Sequence, residues 1–110
     1  MAYDAELADR VRELIAPERG VEEKRMFGGL AFLINGNMSV CVSSKGGLMV
    51  RVPPQETAAL LGRDHVEPMI MAGRETRGWL RVHSDGLATK RQLKPWVTRG
   101  VTYAKGLPAK

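Results

Sequence analysis

Lys24-Arg25-Met26-Phe27-Gly28-Gly29 separates two kinds of sequence: an acidic stretch with helical spacing precedes it, and an apolar run with β patterning follows directly. Two adjacent glycines after a large aromatic predict a backbone that turns sharply or is approached closely by another element, since glycine has no Cβ to clash. Phe27 then reads as a core anchor. The functional alternative is an anion or partner site built from Lys24, Arg25 and exposed amides of Gly28 and Gly29. Neither of the glycine spacings that bind nucleotide phosphates accompanies the pair.

Upstream, Asp4 is placed to cap a helix whose apolar stripe is Leu7, Val11, Leu14 and Ile15, and Pro17 and Gly20 end it. Downstream, Leu30 opens a β pattern. A three-residue loop Asn35-Gly36-Asn37 would set Ile34 against Met38, Phe32 against Val40 and Leu30 against Val42, gathering six apolar side chains on one face. A two-residue Asn-Gly loop would split them, so the longer loop is the expectation. A second loop, Ser44-Lys45-Gly46, places Val42 against Leu48, Val40 against Val50 and Met38 against Val52. Cys41 falls on the opposite face, in a structural role.

Pro53-Pro54 stops the third strand and starts a short helix over residues 55–61, with Gly62 after it and Ala58, Leu60 and Leu61 facing the sheet. Arg63-Asp64-His65 is a polar connection. Residues 66–71 and 79–83 read as a strand pair separated by a loop over residues 72–78 that contains Arg74 and Arg77. Trp79 is expected to pack against the last helix. Thr89-x-x-Gln92 is a capping box, and Leu93, Trp96, Val97, Val101 and Ala104 form the apolar stripe of the helix it opens. Pro95 either kinks that helix or divides it at Lys94. The residues after Gly106-Leu107-Pro108 are expected to fray.

The resulting fold class is α+β, two-layer, an antiparallel sheet covered by helices in the order α-β-β-β-α-β-β-α, with residues 1–110 as one domain. One cysteine cannot form an internal disulfide, and no leader or membrane span is read, so a cytoplasmic protein is expected. The net charge of +5 is unevenly spread: residues 1–23 hold seven acids and three arginines, whereas residues 87–110 hold six Lys or Arg and no acid. Lys90, Arg91, Lys94 and Arg99, with Arg74 and Arg77 as helpers, are the candidate contacts for nucleic acid or an acidic partner. The basic end could equally pair with the acidic helix of its own or a neighbouring subunit.

Catalysis finds little to work with. His65 and His83 are the only histidines, neither has a ligand at metal spacing, and no metal or cofactor is expected. No nucleophile motif or dinucleotide fingerprint occurs, so the chain reads as a non-enzyme. A buried polar pocket joining His83 or His65 to Cys41 or a carboxylate would reopen the enzymatic reading.

Arg25-Met26-Phe27-Gly28-Gly29, the Asn35-Gly36 hairpin, the strand at residues 48–52, Val66-x-Pro68-Met69, Gly78-Trp79 and the closing helix around Trp96-Val97 together make the chain resemble the TfoX/Sxy N-terminal domain family. The resemblance implies a helix-covered antiparallel sheet and a regulatory role. Better-known members are competence regulators that act with a transcription activator and carry a second, helical C-terminal domain. This chain is expected to be a stand-alone N-terminal domain, a homodimer, and a module for protein contacts with a transcription-regulator partner. Arg25, Met26, Phe27, Gly28 and Gly29 carry over as the family motif; the resemblance brings no catalytic residue.

Overall fold

The computed structural model describes residues 3–26, 28–71 and 73–109. Phe27, expected as a core anchor, lies outside them. Helix α1 (Ala5–Ile15) starts where Asp4 Oδ1 accepts the Leu7 amide at 3.1 Å, and it buries Leu7, Ala8, Val11 and Ile15. Strands β1 (Val21–Met26), β2 (Gly29–Ile34), β3 (Asn37–Val42) and β4 (Leu48–Arg51) follow as a meander. A 3₁₀ turn at Pro54–Glu56 leads into the single-turn helix α2 (Thr57–Leu60). Strands β5 (Val66–Met71) and β6 (Arg74–Val82) and helix α3 (Lys90–Lys105) complete the chain. The sheet order is β1-β2-β3-β4-β6-β5, antiparallel throughout.

The α+β class and its helix-strand alternation are as expected, with one strand added. β1 takes in Lys24, Arg25 and Met26, the first half of the stretch at which the sequence changes character. It pairs with β2 along its whole length, from Val21 opposite Ile34 to Met26 opposite Gly29.

Four aligned pairs of the expected register are present: Leu30 with Val42, Phe32 with Val40, Val40 with Val50 and Val42 with Leu48. The pair Ile34–Met38 is not. Asn35 and Gly36 take positive φ (52° and 84°), a two-residue turn that sets Ile34 against Asn37. Ser39 is then an extra residue on β3, and this bulge restores the phase for Val40 and Val42. The Ser39 hydroxyl donates to the Phe32 carbonyl at 2.8 Å, so the unpaired residue is buried yet satisfied. Met38 consequently points away from Val52 to the other face. The second loop follows its expected register, with Val42 opposite Leu48.

One face carries the main core, in which the stripes of α1 and α3 cover Leu30, Phe32, Ile34, Val40, Val42, Leu48, Val50, Leu80 and Val82. Burial of such side chains contributes roughly 25 cal/mol per Å² of apolar area. The opposite face holds a smaller cluster of Ala31, Leu33, Cys41, Met49 and Met69, packed by Met26, Met38 and Trp79. Trp79 therefore belongs to the second cluster and not to the α3 contact expected of it. Of the residues expected to turn α2 toward the sheet, Leu60 is buried and Ala58 is exposed.

Burial pushes the Cys41 thiol up to about 11, which keeps it protonated at neutral pH. Maleimide labelling at about pH 8 is expected to be more than about tenfold slower in the native than in the denatured protein, because reaction requires local opening. Mass spectrometry over time reads this, and equal rates would place the thiol at the surface.

α3 begins with the anticipated capping box: the Thr89 hydroxyl accepts the Gln92 amide at 3.2 Å and Gln92 Oε1 accepts the Thr89 amide at 3.1 Å. It runs unbroken through Pro95, so proline does not divide it. Its tail is held as well, since the Asn37 side-chain amide donates to the Pro108 carbonyl at 2.9 Å.

Candidate functional site

The stripe that seats α3 on the sheet dictates what its other side presents. Leu93, Trp96, Val97, Gly100, Val101 and Ala104 face inward, and the 3.6-residue period turns Lys90, Arg91, Lys94, Pro95, Thr98 and Thr102 outward. Lys90, Arg91, Lys94, Pro95, Thr98 and Arg99 line one shallow surface along the helix. From Thr98 and Arg99 it continues into a cleft of about 420 Å³ bounded by Pro53, Glu56, Thr102, Tyr103, Gly106 and Leu107. The structure thus brings together the four cations expected on α3.

Arg74 and Arg77 are not part of it. Both lie on β6, which begins at Arg74, so the expected loop over residues 72–78 is largely strand. Arg77 instead borders a separate small cleft with Thr57, Pro68, Glu75 and Trp79.

Arg99 is the least ordinary of the cations. Its guanidinium lies 4.9 Å from the centre of the Trp96 ring, and Arg63, from the connection after α2, lies 5.8 Å from the same ring. Both distances are within cation–π range. Burial, and then repulsion by Arg63, loosens the hold of Arg99 on its proton, while Glu56 acts in the opposite sense. Among the described residues none of Arg91, Lys94 and Arg99 forms an ion pair. The ends of α3 differ: Lys105 pairs with Glu18 at 2.9 Å, and Lys90 shares a small cleft with Arg10 and Glu13 of α1. Glu18 follows the end of α1, so this ion pair is not the contact with the acidic helix that was expected of the basic end.

Arg63, Glu56, Tyr103 and Leu107 are absent from the sequence-derived site. Thr98 and Thr102 had a signal, standing one and two helical turns beyond Lys94; Glu56 and Arg63 had none, since their approach depends on how α2 is seated.

The described residues of the family motif, Arg25, Met26, Gly28 and Gly29, lie in the β1–β2 hairpin. Arg25 is exposed on β1, Met26 pairs with Gly29, and Gly28 takes φ +76°. Gly29 is buried, so it cannot present the exposed amide that an anion site would need.

His83 Nε2 lies 3.1 Å from Glu67 Oε1 on an exposed part of the surface, His65 is exposed, and Cys41 is enclosed in the second cluster. Among the described residues no group of three His, Cys, Asp or Glu side chains could hold a metal ion, and no helix is long and apolar enough to cross a membrane.

A family model described as the TfoX N-terminal domain matches residues 13–104. No curated protein matches the sequence.

Proposed function

From the premise that this chain belongs to the TfoX N-terminal domain family, we propose that it is a non-enzymatic regulatory module of the cytoplasm. In this reading it binds an acidic, amphipathic segment of a transcription-regulator partner along α3. The observation that carries the reading is the combination of charge and apolar surface in one groove. Arg91, Lys94 and Arg99 supply positive charge beside Pro95, Tyr103, Pro53 and Leu107, with Glu56 as the acid on the lining. An acidic helix could place carboxylates on the cations and an apolar side chain in the cleft, the usual division between anchor and rim. Steering by the cations would speed encounter and make the rate fall with salt.

Nucleic acid is the second reading, favoured by the same row of cations on one helix face. It has fewer means of stacking bases. Trp96 is buried in the core and Trp79 packs in the second cluster, which leaves little aromatic surface of the kind single strands use.

Fluorescence anisotropy separates the two. A labelled Glu-rich amphipathic peptide is expected to bind, with affinity falling at least about tenfold on combined Lys94→Glu and Arg99→Glu substitution and also on Leu107→Asp. A labelled duplex is expected to bind weakly. Duplex binding whose log K falls with log salt at ~0.9 per phosphate contact, with no binding of the peptide, would transfer the face to nucleic acid.

A further inference from the structure

The two edges of the sheet are built differently. β5 carries Pro68 and a bulge between Pro68 and Ile70, and both features hinder the addition of another strand. β1 has neither. Its register against β2 is unbroken, and Glu22, Glu23, Lys24 and Arg25 are all exposed.

Which backbone groups are vacant on β1 follows from the hairpin. Met26 pairs with Gly29, and the Asn35 amide donates to the Gly20 carbonyl at 3.0 Å. Gly20, Glu22, Lys24 and Met26 therefore direct their N–H and C=O groups at β2. Alternate residues of an antiparallel strand point the other way, so Val21, Glu23 and Arg25 present theirs at the edge.

Read against its own reverse about Glu23, β1 sets acid against base at Glu22 and Lys24. We propose that two copies of this chain join through β1, antiparallel about a twofold axis at Glu23, so that the sheet continues from one copy into the other. An axis normal to the sheet keeps side chains of like parity opposite each other. Glu22 then faces Lys24 of the second copy, twice by symmetry, and Val21 faces Arg25. Glu23 lies diagonal to Arg25, close enough for long side chains to meet.

The approach of the two Glu23 side chains at the axis is offset within each copy. Arg12 forks onto Glu23, its Nε and Nη2 donating to the two carboxylate oxygens at 2.7 and 2.8 Å. The register centred on Lys24 would oppose two lysines with no such fork behind either. This association involves none of the α3 groove, so either can fail without the other.

Sedimentation velocity over a concentration series tests the pairing. The wild type is expected to pass from monomer to dimer with rising concentration, as a small interface requires. Arg25→Pro removes an N–H that points outward and no bond to β2; it should remain monomeric with an unchanged circular dichroism spectrum. Lys24→Glu should weaken the dimer at least about tenfold, and the exchanged pair Glu22→Lys with Lys24→Glu should recover it. Should Arg25→Pro fail to fold, the charge exchange decides alone. A monomer across the whole series, a dimer that survives Arg25→Pro, or an affinity indifferent to Lys24→Glu would each overturn the proposal.

Discussion

Replacing Gly100 with alanine is expected to lower the stability of the protein by about 3 kcal/mol, although alanine is the better helix former by about 1 kcal/mol. A Cβ at position 100 would be driven into the Ser39 carbonyl oxygen and would stand 2.7 Å from Val40 Cγ1. Neither neighbour can give way easily. Ser39 is the bulged residue of β3, tied through its hydroxyl to the Phe32 carbonyl, and Val40 is fully buried at the centre of the main core. The whole helix would have to lift, loosening the contacts of Trp96, Val97 and Val101. Urea denaturation reads the loss as a lower midpoint at unchanged slope. Alanine at exposed Thr98 is the control, with an effect of no more than about 0.5 kcal/mol expected. Wild-type stability in Gly100→Ala would mean that α3 is not seated this closely on β3.

Gly29→Ala is expected to cost about 2 kcal/mol for a related reason. A Cβ there would be forced onto the Val42 carbonyl oxygen, with the Ser44 amide nitrogen 3.3 Å away. Both obstacles are backbone, so the strain falls on the β2–β3 ladder. The same denaturation measurement applies. A combined Gly29→Ala and Gly100→Ala variant is expected to lose nearly the sum, because the two sites strain different parts of β3. This prediction also gives the family motif a physical content: at Gly29 it secures a hairpin and the approach of the next strand. An unchanged stability in Gly29→Ala would return the motif to the list of contact sites.

The parts of the fold legible in the sequence are those where local chemistry and the period of the pattern agree. Asp4, the Thr89–Gln92 box and the stripes of α1 and α3 are such places, and so is the alignment of Phe32, Val40 and Val50. β1 was hidden because only Val21 and Met26 are apolar among its six residues, and an edge strand with exposed flanks shows no alternation. In the first hairpin two different turns satisfy the same hydrophobic pattern. Five of the six apolar side chains do share a face, but a short Asn-Gly turn followed by a bulge achieves this as well as a longer loop would. Bulges leave no mark in a hydrophobic pattern that they serve to restore. For the candidate site, helical period sufficed to collect the α3 cations. Arg63 and Glu56 join them only through tertiary packing, and Arg74 and Arg77 were separated from them by the unforeseen length of β6.

The strand order β1-β2-β3-β4-β6-β5 has a kinetic consequence. Four of its five neighbouring pairs are hairpins, whose short loops close quickly. Only the seam at Leu48–Val82, Met49–Arg81, Val50–Leu80 and Arg51–Trp79 joins segments distant in the chain. Folding should therefore accumulate local hairpins first and wait on that one seam, which forms as α3 settles over β3 and β4. Substitutions along the seam, such as Leu80→Ala, should change the unfolding and folding rates in a different ratio from substitutions in the β1–β2 hairpin.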